Sequence, residues 1–375
     1  MHRRSLLRFA AASSIGLPAL GARAAEAWRI GQSAPATGVL AASNAETTAG
    51  ARLCLANVNA RGGVHGRPFE LLSMDDAQDA KRTVENTNKL IAQGVHALAL
   101  YRTTPSISAA LPLAQKAGVA FVGAQVGPLL LYEPPIEQVF NTRSRYHDEA
   151  AQVVRFFAGL DIRRVAALVA TDAFGKDVMA GLLPALAAEK AELVAQANID
   201  NRVADISQQL GQLKKAQPQV VVLVCNAKAA AEFVKAARAE TLNATFVSLS
   251  NTSSASFVKD LGTAAEGVVV TQVVPTPHSG RLRAVAEFRA AVAAAGAQAP
   301  PLSHAALQGW LSARFIVELI RRAGPGATRP RLVELGTPTA SFDLGGFALN
   351  YSRSSRQGSR LADLTVIGRD GRFMY

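Results

Sequence analysis

Residues 165–199 read VAALVATDAFGKDVMAGLLPALAAEKAELVAQANI and predict the architecture of the whole chain. Residues 165–170 are continuously apolar, as expected of a strand that is buried on both faces of a sheet. Residues 174–188 follow with a helical pattern, and residues 193–199 return to a strand pattern. A strand, a helix and a second strand in this order predict a parallel sheet covered by helices.

The same alternation continues on both sides of this stretch. Toward the N-terminus it predicts strands at residues 29–32, 69–74, 97–101 and 120–122, with helices at 45–60, 80–93 and from about 106. Toward the C-terminus it predicts helices at 148–158, 206–216 and 229–239, and strands at 220–225, 245–249 and 268–272. Because 375 residues exceed what one hydrophobic core usually serves, we expect two doubly wound α/β lobes joined near residue 145.

The remaining third of the chain begins with an interruption. The segment Val274-Pro275-Thr276-Pro277 suits a linker, because its prolines stop regular structure. Helices are predicted at residues 284–295, 305–323 and 329–335, and strands at 347–350 and 361–367. Residues 369–372, RDGR, are typical of a tight turn.

The first 24 residues contain the three parts of an export signal in their usual order. A basic start, MHRRSLLR, precedes an apolar stretch at 9–20 that is too short to span a bilayer, and Ala22-Arg23-Ala24 is a small-x-small cleavage site. The pair Arg3-Arg4 resembles a twin-arginine signal, which leaves that route and the ordinary secretory route open. A simple amphipathic or disordered tail is the alternative. We expect a cleaved signal peptide at residues 1–24 and a protein that works outside the cytoplasm.

Composition excludes several classes of protein. The formal net charge is +12, and loss of the four arginines in residues 1–24, where there is no acid, leaves 12 − 4 = +8. The basic residues are scattered and not interleaved with aromatic ones, so we expect no nucleic-acid partner. No later apolar run reaches the length of a membrane span. Cys54 and Cys225 lie in apolar patterns, which predicts buried free thiols rather than a disulfide.

The sequence lacks the familiar catalytic motifs. It contains no dinucleotide-binding Gly-x-Gly-x-x-Gly after a strand, no phosphate loop and no Gly-x-Ser-x-Gly nucleophile elbow, and its six histidines do not fall at metal-ligand spacing. The pair Asp75-Asp76 is the best carboxylate cluster, but adjacent side chains at a strand end point apart. Capping of the next helix by Asp76 or Asp79 is the stronger interpretation. We therefore predict no enzyme, no metal site and no cofactor.

A ligand loop is predicted after the strand at 97–101. Ligands of open α/β sheets lie beyond the carboxyl ends of the strands, where helix N-termini offer free N–H groups. In this loop Thr104 can cap the helix, Pro105 suits the first helical position, and the N–H groups of Ser106 and Ile107 would face a bound carboxylate. A well-capped helix without a ligand explains the same residues equally well.

Several segments together resemble the leucine/isoleucine/valine-type periplasmic substrate-binding proteins of ABC importers. They are NVNARGGVHGRP at 57–68 with DDAQD at 75–79, TDAFGK at 171–176, AAEGVVV at 264–270, DLGGF at 343–347 and QGSR at 357–360. The resemblance covers essentially the whole chain after the leader. It implies the type I periplasmic binding protein fold: two doubly wound parallel-sheet lobes joined by a three-strand hinge that close around a ligand.

The resemblance also implies domain boundaries. The chain is expected to cross between the lobes near residues 145, 274 and 345. Lobe 1 would contain residues 27–145 and 275–345, and lobe 2 would contain residues 146–274 and 346–375.

The ligand contacts of the family fall on specific residues of this sequence. The hydroxyl loop that grips the ligand carboxylate falls on Thr103, Thr104 and Ser106, with Arg102 beside it. A second backbone and hydroxyl contact falls on Ala124, Gln125 and Val126. In the other lobe the aromatic lid falls on Phe174, and later strand-end contacts fall on Asn226, Ser250 and Asn251.

Four departures from the family pattern bear on the solute. Val126 has no hydroxyl, Phe174 has no O–H, Ala227 has no ring, and residues 248–252 lack the acid that pairs with the ligand ammonium. Since a buried ammonium without a carboxylate partner is costly, we expect a carboxylate without the amine unless Asp172 or another acid substitutes. Arg102 could add a bidentate grip, or it could point to solvent.

The resemblance implies a periplasmic solute receptor, a monomer, that delivers a small carboxylate-bearing solute, amino-acid-like or an organic or aromatic acid, to an inner-membrane ABC permease. A soluble ligand-sensing receptor that docks on a membrane signalling partner is the alternative. An exported α/β enzyme is a third hypothesis, which would need a catalytic constellation.

Overall fold

The structure is a computed structural model that describes residues 26–201 and 206–375. The predicted signal peptide at residues 1–24 lies outside the described residues. Strands and helices alternate along the chain in the order that the apolar patterns predict. Their bounds are β1 (Trp28–Ala34), α1 (Ala41–Asn59), β2 (Phe69–Asp75), α2 (Ala80–Ala92), β3 (Ala97–Ala99), α3 (Thr104–Lys116), β4 (Ala120–Val122), β5 (Val139–Phe140), α4 (Tyr146–Gly159), β6 (Arg164–Ala170), α5 (Ala173–Ala188), β7 (Glu192–Ile199), α6 (Ser207–Lys215), β8 (Val220–Val224), α7 (Ala227–Ala239), β9 (Thr245–Ser248), α8 (Ala255–Leu261), β10 (Val269–Gln272), α9 (Arg283–Ala295), α10 (His304–Ala323), α11 (Arg329–Glu334), β11 (Ala340–Asp343), β12 (Ala348–Tyr351), β13 (Asp363–Ile367) and β14 (Phe373–Met374).

The first lobe is built on a five-stranded sheet in the order β2-β1-β3-β4-β5. All of its pairings are parallel, and β1 and β2 run in register from Trp28 opposite Phe69 to Ala34 opposite Asp75. One apolar core joins β1 and α1 to α9, α10 and α11, which the chain supplies only after it has built the second lobe. The first lobe is therefore made from two distant parts of the sequence.

The second lobe is built on a seven-stranded sheet in the order β14-β13-β10-β9-β8-β6-β7. The strands β6 to β10 pair in parallel, and β13 and β14 add an antiparallel edge. The predicted doubly wound α/β fold with two parallel-sheet lobes is thus confirmed, with this antiparallel edge as an addition.

The sequence patterns miss only short elements. The helix α8 has seven residues, β11 has four, and β5 and β14 have two each, which is too few for a period to stand out. Four 3₁₀ turns, at Leu129–Leu131, Ser250–Thr252, Gly262–Ala264 and Gly296–Gln298, are missed for the same reason.

A hairpin shifts one lobe boundary. The strands β11 and β12 pair antiparallel around Gly345 and Gly346, whose φ angles of 97° and 87° suit glycine. Phe342 and Tyr351 both pack into the core of the first lobe. The boundary expected at residue 345 falls inside this hairpin, because its second strand packs with the first lobe, and the chain returns to the second sheet only after residue 351.

The hinge contains two adjacent segments around Asn141 and Gln357. These residues form a parallel bridge, and the N–H of Gly358 donates to the carbonyl of Asn141 at 3.1 Å. Residues between β10 and α9 supply the third crossing. Cys54 and Cys225 are buried free thiols, as predicted. Within residues 26–201 and 206–375, no helix is both long and apolar enough to cross a membrane.

Candidate functional site

A cavity of about 370 Å³ lies between the lobes at the carboxyl ends of their strands. Its volume is typical of a site for a small molecule. The first lobe contributes the loops after β1, β2, β3 and β4, and the second lobe contributes the start of α4 and the loops after β6 to β9. The lining residues are Leu40, Gln78, Arg102, Thr103, Thr104, Pro105, Val126, Tyr146, Thr171, Asp172, Phe174, Asp200, Asn201, Asn226 and Asn251.

The loop between β3 and α3 forms the first-lobe wall in an unusual backbone conformation. Leu100 and Thr103 have φ angles of 59° and 66°, which non-glycine residues rarely adopt and which cluster at functional sites. Thr103 is the N-cap, since its Oγ1 accepts from the N–H of Ser106 at 3.2 Å. The expected cap at Thr104 is therefore wrong by one residue. Thr104 opens the helix instead, and its hydroxyl has no partner among the described residues.

Arg102 is buried in this wall and does not point to solvent. The residue is only 5% exposed, and its guanidinium donates to Gln125 Oε1 at 2.8 Å and to Ser43 Oγ at 3.0 Å. A third bond, of 3.1 Å, crosses the cleft to the backbone carbonyl of Asn251. Burial lowers the pKa of Arg102 to about 10, so the group stays charged at neutral pH. All three acceptors are neutral, which leaves the buried charge without a counter-ion among its hydrogen-bond partners.

Two aromatic rings form part of the second-lobe wall. Phe174 and Tyr146 pack with ring centroids 5.0 Å apart. The hydroxyl of Tyr146 is buried and has no partner in the part of the chain that the structure describes. Burial raises the pKa of Tyr146, so the hydroxyl keeps its proton and can donate it to a ligand.

The polar residues of the second lobe are already engaged with one another. Asp172 caps α5, with Oδ1 accepting from the N–H groups of Phe174 at 2.9 Å and Gly175 at 3.2 Å. Its Oδ2 accepts from Asn201 at 3.4 Å. Asn226 caps α7 and donates to the carbonyl of Asn201 at 2.6 Å. This wall is therefore held rigid by its own hydrogen bonds.

Four of the expected contact residues lie behind the cavity wall. Ser106, Ala124, Gln125 and Ser250 are buried but do not line the cavity. Gln125 orients Arg102 and donates to Asn44 Oδ1 at 2.7 Å, and the Ser106 hydroxyl accepts from Thr83 at 2.9 Å. The N–H groups of Ser106 and Ile107 both bond to Thr103, so neither is left for a ligand. These residues support the wall rather than form it.

The other seven expected residues line the cavity. They are Arg102, Thr103, Thr104, Val126, Phe174, Asn226 and Asn251. Sequence reasoning missed Leu40, Gln78, Tyr146, Thr171, Asp200 and Asn201. The carboxyl-end rule, applied to β6 and β7, would have found Thr171, Asp200 and Asn201.

Direct hydrogen bonds join the two lobes beside the cleft. Glu46 on α1 accepts from the N–H groups of Ala255 at 2.9 Å and Ser256 at 2.8 Å, at the start of α8 in the second lobe. The same carboxylate accepts from the hydroxyl of Ser303 at 2.8 Å. A buried carboxylate of one lobe thus satisfies free N–H groups of a helix in the other.

A buried ion pair lies at the hinge beside the cavity. Arg143 contacts Glu149, and both side chains are fully buried. Arg143 also donates to Ser250 Oγ at 2.8 Å and to the carbonyl of Gln125 at 2.7 Å. Burial alone would lower the pKa of Arg143, but the Glu149 carboxylate reverses this and the pKa is raised. The pair ties the first crossing segment to both lobes.

The described ranges contain no group of three or more His, Cys, Asp or Glu side chains that could hold a metal ion. The chemistry of the cavity is that of hydrogen bonding and charge. It offers one buried guanidinium and three buried polar atoms without a partner in residues 26–201 and 206–375: Thr104 Oγ1, Tyr146 OH and Asn251 Oδ1.

Known proteins share this architecture. The Leu/Ile/Val-binding protein of Escherichia coli (strain K12) is 21% identical over 224 residues, which are 60% of this chain and 61% of that protein, so the match spans less than two thirds of the relative. A substrate-binding periplasmic protein from Ralstonia solanacearum is 28% identical, with a TM-score of 0.86 over 92% of this chain and 99% of that chain. A possible leucine/isoleucine/valine-binding protein from Rhodopirellula baltica SH 1 is 24% identical, with a TM-score of 0.87 over 94% of this chain and 97% of that chain, and shares the fold.

A family model described as periplasmic binding protein matches residues 27–372, which include nearly all of both lobes and the hinge. The resemblance seen in the sequence is thereby confirmed, and the chain belongs to the periplasmic binding protein family.

Proposed function

We propose that this protein is the periplasmic receptor of an ABC importer and binds a small solute with a carboxylate group in the cavity between its lobes. The observation that carries the proposal is the buried guanidinium of Arg102, whose three hydrogen-bond acceptors are all neutral. A buried charge is costly unless it is paired, and a ligand carboxylate would pair it. The hydroxyls of Thr104 and Tyr146 would donate to the same group.

The solute that this cavity favours lacks an α-ammonium group. Asp172 is occupied by two backbone N–H groups and Asn201, and Asp200 is also engaged within the protein. An ammonium would have to compete for these carboxylates. The rings of Tyr146 and Phe174 suit an apolar or aromatic body for the solute.

Transport follows from where the receptor works and how it closes. The leader at residues 1–24 supports export to the periplasm, by the secretory or the twin-arginine route. The bonds from Arg102 and Glu46 to the second lobe form only when the lobes close, so closure around the solute would present one surface to an inner-membrane permease. The receptor would act as a monomer and catalyse no reaction.

Three matched ligands test the proposal on the purified mature protein by isothermal titration calorimetry. Leucine carries both charged groups, 4-methylpentanoate lacks the amine, and 3-methylbutylamine lacks the carboxylate. Benzoate and benzamide form a second pair that differs in the carboxylate alone. We expect binding of 4-methylpentanoate or benzoate, weaker binding of leucine, and none of the amine or the amide.

Variants assign the binding to the cavity. Arg102→Gln should weaken carboxylate binding on the order of 100-fold, whereas Arg353→Gln, at an exposed arginine, should leave it unchanged. Tight leucine binding together with no 4-methylpentanoate binding would contradict the absence of an ammonium site. Binding of the amine, or carboxylate binding of unchanged affinity in Arg102→Gln, would contradict the role of the guanidinium.

A further inference from the structure

A second cavity, of about 280 Å³, lies in the first lobe among α1, α9, α10 and the β11–β12 hairpin. Arg102, Phe174 and the other residues of the interlobe cavity take no part in it. Its floor contains Cys54, Trp310, Val317 and Leu344, and its polar lining includes Asn57. Burial raises the pKa of the Cys54 thiol to about 12, so the floor offers a neutral thiol and no nucleophile.

The walls of this second cavity are rich in charge. Four arginines line it, Arg61, Arg283, Arg314 and Arg321, against three carboxylates, Glu287, Glu318 and Asp343. The arginines come from three different helical segments: the turn after α1, the start of α9, and α10. Their convergence on one depression gives it one more positive than negative charge.

All three carboxylates are engaged by the protein. Glu287 pairs with Arg314 and lies 3.7 Å from Arg283, and Glu318 pairs with Arg321 at 2.6 Å. The Asp343 carboxylate accepts from the N–H groups of Gly345 at 2.9 Å and Gly346 at 2.6 Å in the hairpin turn. Each of the three carboxylates thus has at least one partner within the fold.

The second cavity also contains hydrogen-bond donors that have no acceptor among the described residues. The side chain of Arg61 has no hydrogen-bond or ion-pair partner in the described part of the chain. Trp310 is 1% exposed, and its indole N–H has no acceptor within the described residues. A buried N–H without an acceptor is uncommon and marks a place where a partner is missing.

From this imbalance we propose that the second cavity binds a small, multiply charged oxyanion of the phosphate or sulfate type, held by Arg61 and Arg283 with the indole N–H of Trp310 at its floor. Guanidinium groups from several elements match such an anion, because each can donate two hydrogen bonds to its oxygens. The site is independent of the solute cavity and of the proposed transport function.

Inorganic phosphate and sulfate are the probes, titrated into the mature protein at constant ionic strength with chloride as the reference anion. Calorimetry should give one site, and nitrogen-15 NMR should show a shift of one of the two indole N–H signals. The chain has two tryptophans, so Trp310→Phe assigns the moving signal, and Trp28, whose N–H donates to Val64, serves as the internal reference. Arg61→Gln and Arg283→Gln should each weaken phosphate binding about tenfold or more.

Two control variants separate the cavities. Arg102→Gln and the exposed-site variant Arg353→Gln should both bind phosphate as the unaltered protein does. The proposal is overturned if neither phosphate nor sulfate binds more strongly than chloride, if the Trp310 signal does not move, or if phosphate binding is lost in Arg102→Gln and kept in Arg61→Gln. That last result would place the anion in the solute cavity instead.

Discussion

Arg143 at the hinge and Arg102 in the cleft are both buried arginines that bond to both lobes, and they differ in one respect. Arg143 has a carboxylate partner in Glu149, whereas Arg102 has only neutral acceptors. The consequence appears in their pKa directions, because Glu149 raises the pKa of Arg143 above its ordinary value and burial lowers that of Arg102 to about 10. One charge is satisfied by the fold, and the other remains available to a ligand.

Under the proposed function, this contrast separates a residue that stabilises the protein from a residue that binds the solute. A paired buried charge destabilises the fold when its partner is removed, because the remaining ion stays buried. An unpaired one can be removed at less cost to the fold and at greater cost to ligand affinity. Four variants test how far this distinction holds.

The largest effect is expected for Arg143→Met. This change leaves the Glu149 carboxylate buried without its cation and should lower the free energy of unfolding by about 3–5 kcal/mol, measured by urea denaturation. The double variant Arg143→Met/Glu149→Leu should recover part of the loss. A single variant as stable as the exposed-site control Arg353→Met would contradict the structural role of the pair.

Arg102→Gln should affect ligand affinity more than it affects the free energy of unfolding. Loss of the guanidinium should weaken carboxylate binding on the order of 100-fold, since truncating one partner of a buried charged pair costs several kcal/mol. The free energy of unfolding of the ligand-free protein should fall by less than in Arg143→Met. Equal losses of stability in the two variants, with affinity unchanged in Arg102→Gln, would remove the distinction between them.

His304 extends the comparison of the two buried arginines to a buried base that is neutral in the folded protein. It is 1% exposed, and burial lowers its pKa to about 3. Below the ordinary value of 6.5 the unfolded chain takes up a proton that the folded chain does not, so stability is full above pH 6.5 and is lost as pH falls toward 3. At pH 5 the loss should be about 2 kcal/mol.

The pH dependence is the measurement for His304. Unfolding by urea at pH 7 and pH 5 should show this loss in the natural sequence, and a smaller one in His304→Phe. If the variant and the natural sequence lose the same stability between these pH values, the histidine is not the titrating group.

Glu46→Gln should have the smallest effect, and it acts on closure. The amide keeps the shape but loses the charge that accepts from Ala255, Ser256 and Ser303, which should cost about 1 kcal/mol of interlobe contact. Small-angle X-ray scattering should then show a larger radius of gyration for the ligand-free protein. Glu85→Gln, at an exposed position on α2, is the matched control and should leave it unchanged.

The sequence predicts those elements of the fold whose pattern of apolar residues is set by neighbouring residues along the chain. After the exposed Arg164, β6 is an unbroken apolar run like β8, because both faces of these strands are covered by helices, and this leaves a clear pattern. The hairpin β11–β12 leaves none, because its strands have four residues each and its packing on the first lobe depends on residues far along the chain.

The sequence predicts only some of the residues that line the cavity. The carboxyl-end rule finds the loop at Arg102 to Thr104, but it cannot say that Gln125 lies behind the wall while Val126 lines it. The burial of Arg102 depends on Ser43 and Asn251, which are distant from it in sequence and meet it only in the folded protein. Tyr146 enters the cavity from the start of α4, and a rule that considers only the ends of strands does not predict this position.

The two buried thiols have a practical consequence. Burial raises the pKa of Cys54 to about 12 and raises that of Cys225 as well, so neither forms the reactive thiolate at neutral pH. One cysteine introduced on the surface of each lobe would therefore react with a thiol-directed dye in preference to Cys54 and Cys225. A dye pair attached at these two positions would report the distance between the lobes by fluorescence energy transfer, without removal of the natural cysteines.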